Sequence, residues 1–307
     1  MSKASTRKRS RTRIPNGFWV AMALVGLSSL PYLHEAITFE GGLRSWVPVL
    51  GIEEFLTDAQ GKVLGFSSYR MFLYTLLIFV FSELGWAAWL YVSKRKTYYF
   101  ALFVPVLMGI YQILIILLDL RKTTANSAET KLSVLFALSL FLALLYLRKH
   151  KFTVKTVFKW LLIIGACTLP FFHDIITFRD ATLKSWVPVL GVEKFLTDSE
   201  GYVRGFGQYR SLVYFLMLHV YAHLGWLGAF IYYDLGIKKI RPFLLVPVII
   251  SLYSVIIFLF NWQETGLNKP NIKFYITIVL AILLAINFFF NDKVEKSETI
   301  TTDINNT

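Results

Sequence analysis

The sequence predicts an all-α polytopic membrane protein: eight transmembrane helices, arranged as two parallel four-helix repeats with a pseudo-two-fold axis along the membrane normal. Three observations predict it. Hydrophobic residues make up 56 % of the 307 and charged residues only 17 %, a balance too apolar for a water-soluble globule and suited to helices in lipid. Apolar runs of about 20 residues, enough to cross roughly 30 Å of hydrocarbon at 1.5 Å per residue, can be marked eight times. Residues 30–70 return as residues 169–210, with one inserted residue near Asp180 and 25 identical positions out of 41.

The eight runs lie near Phe18 to Leu33, Met71 to Val92, Tyr99 to Leu118, Leu132 to Leu147, Val157 to Phe172, Ser211 to Tyr233, Phe243 to Phe260 and Phe274 to Phe290. The short first and fifth runs are expected to continue past Pro31 and Pro170. A basic start before an apolar run also resembles a secretory signal. Its counterpart in mid-chain, where no signal peptidase could act, argues for a retained span.

An even number of spans per unit returns the chain to the same side, so the units share one orientation. Pro31 corresponds to Pro170, Leu84-Gly85-Trp86 to Leu224-Gly225-Trp226, Pro105 to Pro247 and Tyr111 to Tyr253. The expected organisation is a basic tail over residues 1–16, a first repeat over 17–148 with an outer loop at 34–70, and a second repeat over 149–291 with an outer loop at 173–210. Residues 292–307, polar and without apolar periodicity, are expected to be disordered. The paired prolines free backbone carbonyls one turn earlier, either in kinks absorbed by neighbouring helices or along a polar cavity.

The net charge of +13 is mostly a topology signal. The N-terminus, the loops after even-numbered spans and the C-terminal segment hold 19 Lys and Arg against 5 Asp and Glu; the alternate loops hold 13 against 13. By the positive-inside rule both termini are cytoplasmic, the repeated loops face outward, and the expected location is the inner or plasma membrane. No nucleic-acid partner is expected. The tail from Lys3 to Arg13 can touch anionic lipid. Cys167, the only cysteine, reads as packing inside the fifth span, with no disulfide in the loops.

In the outer loops, Ser45 and Ser185 could cap short helices carrying Trp46 and Trp186. Asp58 would pair with Arg70, and Asp198 with Arg210, if each loop were a lid on its own unit. The sharper reading lets the loops meet around the axis and brings His34, Glu35, His173 and Asp174 together. Tyr69-Arg70 and Tyr209-Arg210 could hold an anionic headgroup or carboxylate, since guanidinium offers a bidentate fork. Histidine beside acid is not ligand spacing of one helical turn, so no metal and no cofactor are expected.

Inside the spans, Glu83 lies about 18 Å along the second helix, where a charge normally faces protein or a wet cavity. Its counterpart is His223, with His219 one turn away. If the second and sixth spans face each other, Glu83 and His223 could share a proton. The residue after His219 is Val220, so the zinc-hydrolase pattern is missing.

The first functional expectation is a permease-like protein in the lipid bilayer, its polar site at the repeat interface and its mouth formed by the outer loops. Arg70 and Arg210 would draw an anionic solute and Glu83 would couple protons. The second is a non-catalytic accessory or assembly subunit that docks a partner membrane protein through Trp46 and Trp186. The third is a membrane enzyme acting on a lipid or quinone through His34, His173 or His219.

Overall fold

The computed structural model describes residues 16–39, 42–47, 56–57, 63–64, 66–178, 182–189, 196–197, 203, 208–233, 238–263 and 265–305. The protein is an all-α polytopic membrane protein. Among the described residues, seven helices are long and apolar enough to cross a membrane, and a bent pair at the N-terminus makes an eighth span if its two pieces cross together.

That bent pair is α1 (Asn16–Leu27) and α2 (Leu30–Ile37), turned by 60° at the break. Pro31 has no N–H to continue the ladder. Hydroxyls take up carbonyls at the bend: Ser28 donates to the Leu24 carbonyl and Ser29 to the Gly26 carbonyl, each at 2.7 Å. The same device recurs between α6 (Val154–Ala166) and α7 (Phe172–Ile176), where Thr168 donates to the Gly165 carbonyl at 2.7 Å just before Pro170. Cys167 donates to the Ile163 carbonyl at 3.2 Å, a packing role for the only cysteine.

Two of the remaining spans start where a side chain replaces the missing helical acceptor. Ser68 accepts from the Met71 N–H at 3.3 Å and opens α3 (Tyr69–Val92), whose 24 residues reach about 36 Å. Ser127 accepts from the Thr130 N–H at 3.2 Å and opens α5 (Ala128–Leu147). Between them runs α4 (Phe103–Leu117), entered by a 3₁₀ turn at Tyr99–Leu102. The later spans are α8 (Tyr209–Ile231), α9 (Leu245–Leu259) and α10 (Pro270–Asn305).

The central contact is α3 against α8. Gly85 and Gly225 let these backbones touch, since a Cβ on Gly85 would stand 3.0 Å from the Trp226 nitrogen and one on Gly225 would stand 2.9 Å from the Trp86 nitrogen. Small residues at a helix crossing allow this approach in lipid, where close packing must supply the attraction. The Trp226 indole donates to the Phe81 carbonyl at 3.1 Å, and the Trp86 ring lies against Trp89 and Tyr221. Outward-facing Phe136, Leu140, Phe141, Leu161, Leu162 and Leu283 are exposed, the surface expected to meet acyl chains.

Corresponding stretches of the two halves share unusual local geometry. Asp119 and Asn261, after α4 and α9, both have positive φ, 51° and 58°, a region that Asp and Asn tolerate better than most residues. Asn126 then donates to the Arg121 carbonyl at 2.9 Å, and Asn268 to the Gln263 carbonyl at 2.8 Å. In the loops, β1 (Thr38–Phe39) pairs antiparallel with β2 (Gly42–Leu43), Thr177 bridges Leu183, and Thr57 and Thr197 bridge Val63 and Val203.

One expectation needs revising. After Ser185 the described residues Trp186–Val189 are helical, and residues 45–47 form a turn; residues 48–55 and 190–195, on which the rest of these short helices was expected, lie outside the described residues. The segment after Asn291 is helix through Asn305. It contains no Gly or Pro, and its Lys and Glu residues are good helix formers, so missing apolar periodicity did not mean missing helix.

Candidate functional site

Two polar pockets lie at the end of the bundle where α2 and α7 finish and α3 and α8 begin. Pocket A, about 350 Å³, is lined by residues of α3, α4, α5, α8 and the α7 region, among them Gln112, Lys131, His173, Asp174, Arg210 and Tyr214. Pocket B, about 240 Å³, is lined by residues of α2, α3, α8, α9 and α10, among them His34, Glu35, Arg70, Tyr74, His219 and Lys273. Each pocket therefore draws helices from both halves of the chain, and α3 and α8 contribute to both pockets.

In pocket A the acid is Asp174, placed by the short helix after Pro170. The Arg210 guanidinium, at the first turn of α8, donates to Asp174 Oδ1 and reaches the Phe178 carbonyl at 3.3 Å. Lys131 Nζ stands 3.8 Å from Asp174 Oδ2, and the whole lysine is 4 % exposed. His173 Nε2 is 3.3 Å from Asp174 Oδ1, and its ring meets Tyr214 edge to face at 4.8 Å. Arg121, from the turn after α4, also lines the pocket and lies over the Phe66 ring, 3.6 Å from its centre. Burial pushes the Arg121 guanidinium below its ordinary range, and Tyr214 and Asp119 offset part of that.

Pocket B repeats the arrangement with looser contacts. Arg70 Nη2 is 3.6 Å from Glu35 Oε2 and His34 Nε2 is 3.7 Å from Glu35 Oε1. The His34 ring meets Tyr74 edge to face at 4.8 Å. Lys273 stands close enough for its charge to act on Glu35. His219 adds Nε2 at 3.2 Å from the Tyr74 hydroxyl and Nδ1 at 2.8 Å from the Phe215 carbonyl.

Three expectations are corrected, and a fourth falls outside the described residues. His34 and Glu35 do not meet His173 and Asp174; each pair belongs to a different pocket. Arg70 and Arg210 pair with Glu35 and Asp174, while their expected partners Asp58 and Asp198 lie outside the described residues. Tyr69 and Tyr209 pack into the loop-side hydrophobic clusters and not into the pockets. Glu83 and His223 make no contact with each other: α3 turns Glu83 against Gly109 of α4, and α8 turns His223 to the Ser251 hydroxyl of α9 at 3.0 Å. The two side chains project to opposite flanks of the central pair because each follows its own half. Trp46 and Trp186 are half exposed, 50 % and 45 %, and line neither pocket.

Lys131, Lys273 and Arg121 were not singled out by sequence. A signal for the lysines existed. They stand at the same separation as Tyr111 and Tyr253, each one residue before an apolar run, and drawing the runs from Leu132 and Phe274 left both outside the membrane. Comparison with protein-family models, with curated proteins and with solved structures finds no match for this chain.

Chemically, each pocket sets two or more cations against one carboxylate: Lys131, Arg210 and Arg121 with Asp174, and Arg70 and Lys273 with Glu35. Desolvated cations in excess, with hydrogen-bond donors already oriented, suit an oxyanion such as a carboxylate, sulfate or phosphate group.

Proposed function

We propose that the protein is a permease-like multi-pass membrane protein that holds a small anion in pocket A, with pocket B as its less charged twin. On this reading two parallel four-helix repeats close around an axis normal to the membrane, both termini are cytoplasmic, and both pockets face outward in the inner or plasma membrane. The observation that carries the reading is Lys131, a lysine almost fully buried on a membrane helix and sharing one carboxylate with Arg210. Ionisable groups at such positions are costly and mark ion or substrate paths.

The test is binding of acetate, sulfate and inorganic phosphate to purified protein, followed by uptake of the bound anion into proteoliposomes. Lys131→Met is expected to weaken binding by about 2 kcal/mol, roughly thirtyfold, and to abolish uptake. Failure of all three anions to bind or move, or unchanged affinity in Lys131→Met, contradicts the reading.

A second reading, docking of a partner membrane protein through the loops, draws support from the exposed Trp46 and Trp186. Large aromatic residues of this kind anchor interfaces. A partner that co-purifies with the protein and is lost when both tryptophans become alanine would favour it.

A further inference from the structure

Below pocket A, on the side facing the middle of the membrane, α4 carries two residues one turn apart, Gly109 and Gln112. Together with Phe79, Cys167 and Tyr221 they wall a void of about 10 Å³, the space of a single water. Gln112, Phe79 and Pro170 also line pocket A, so the void and the pocket share a wall.

Glu83 comes to the same place from α3. Its carboxyl group lies directly against Gly109, where a Cβ would collide with it. Both carboxyl oxygens and the Gln112 side-chain nitrogen are buried, and none has a hydrogen-bond partner among the described residues. The titratable groups facing Glu83 from other elements are Cys167, at the end of α6, and Tyr221 of α8. Neither is set up to pair with it: the thiol donates to the Ile163 carbonyl and the phenol to the Pro105 carbonyl at 3.2 Å. Gln112 walls the void, and Glu83 reaches it through its contact with Gly109, another wall residue; unsatisfied polar atoms beside a one-water space are costly in an apolar interior unless something bridges them.

We propose that Glu83 is a proton-exchanging group linked to pocket A through one water held by Gln112. The Gln112 amide donates to the water oxygen, and the water faces a Glu83 carboxyl oxygen. In the uptake step a hydronium ion in the pocket passes a proton to the bridging water, which gives one of its own to the carboxylate; an O–H bond of the hydronium breaks, one forms on Glu83, and both waters are left neutral. Gln112 positions the water and transfers no proton. An anion in pocket A and a proton on Glu83 neutralise each other, so each favours binding of the other. This rests on the reading of pocket A as an anion site and names the ion that would move with the anion. The direct partnership with His223 expected from sequence is replaced by a link to the opposite flank.

Infrared difference spectroscopy of the protein in liposomes, with no anion added, tests the link separately from the anion site. Wild-type protein is expected to show a protonated-carboxyl band that is lost in Glu83→Gln and is shifted in Gly109→Ala, where the added methyl displaces the carboxyl group. Deuteration of the band is expected to be about tenfold slower in Gln112→Leu, for the loss of one hydrogen bond to the relay water. No band assignable to Glu83, or deuteration as fast in Gln112→Leu as in wild type, overturns the proposal. With sulfate as the probe, at a pH high enough that the band of the anion-free protein has faded, binding should take up a proton in wild type and none in Glu83→Gln; proton uptake that survives the substitution also overturns it. Sulfate that fails to bind wild type while the band behaves as expected counts against the anion site and leaves the exchange path standing.

Discussion

Pocket A gathers Lys131 and Arg210 onto one short carboxylate, Asp174, whereas pocket B spreads Arg70 and Lys273 around the longer Glu35. The position that is Phe79 in pocket A is His219 in pocket B, Arg121 becomes Gln263, and Gln112 becomes Ser254. The scaffold is shared: a proline-broken helix presents a His-acid pair, an arginine stands at the next helix start, and a lysine enters from the other half. What differs is size and charge. Pocket A is the larger and more cationic of the two, and it shares wall residues with a void beside Gly109, against which Glu83 packs. Two similar stretches of one chain thus hold the same constellation with unequal charge.

The comparison predicts unequal costs of removing the acid. Asp174→Asn leaves a buried lysine and an arginine without their carboxylate, a loss expected at about 3–5 kcal/mol of stability. Glu35→Gln should cost only about 1 kcal/mol, because its arginine partner is 51 % exposed at the side chain. Thermal unfolding in detergent, followed by tryptophan fluorescence, measures both. Equal losses would mean that the pockets are electrostatically alike.

A smaller change converts one pocket toward the other. Arg121→Gln gives pocket A the amide that pocket B has at Gln263, and sulfate affinity is expected to fall about threefold, the contribution of one partly screened charge. Isothermal titration reads it. An unchanged affinity would remove Arg121 from the binding set and leave Lys131 and Arg210 as its cations.

Much of this was legible in the sequence, for definite reasons. The apolar runs declared the spans because a membrane helix must be continuously hydrophobic over its length. His34, Glu35, Arg70, His173, Asp174 and Arg210 stood out because they occupy matching positions in two near-identical stretches. Their partners were hidden. Each lysine lies about 43 to 240 residues from the acid it serves, brought there by helices of the other half, and linear spacing carries no trace of that crossing. The assumption that like residues of the two stretches gather together also misled, since the α3–α8 contact is filled by Gly85, Gly225, Trp86 and Trp226 and the polar groups lie on its two flanks.

The central claim is that one half of the chain completes the charged site of the other, and a double-mutant cycle between Lys131 and Asp174 tests it most directly. Stability of wild type, Lys131→Met, Asp174→Asn and the double variant, measured by the same fluorescence-detected melting, is expected to give a coupling energy of about 1 kcal/mol or more, with the double variant less damaged than the two single losses added together. Additive losses would contradict the account and separate the two halves at pocket A.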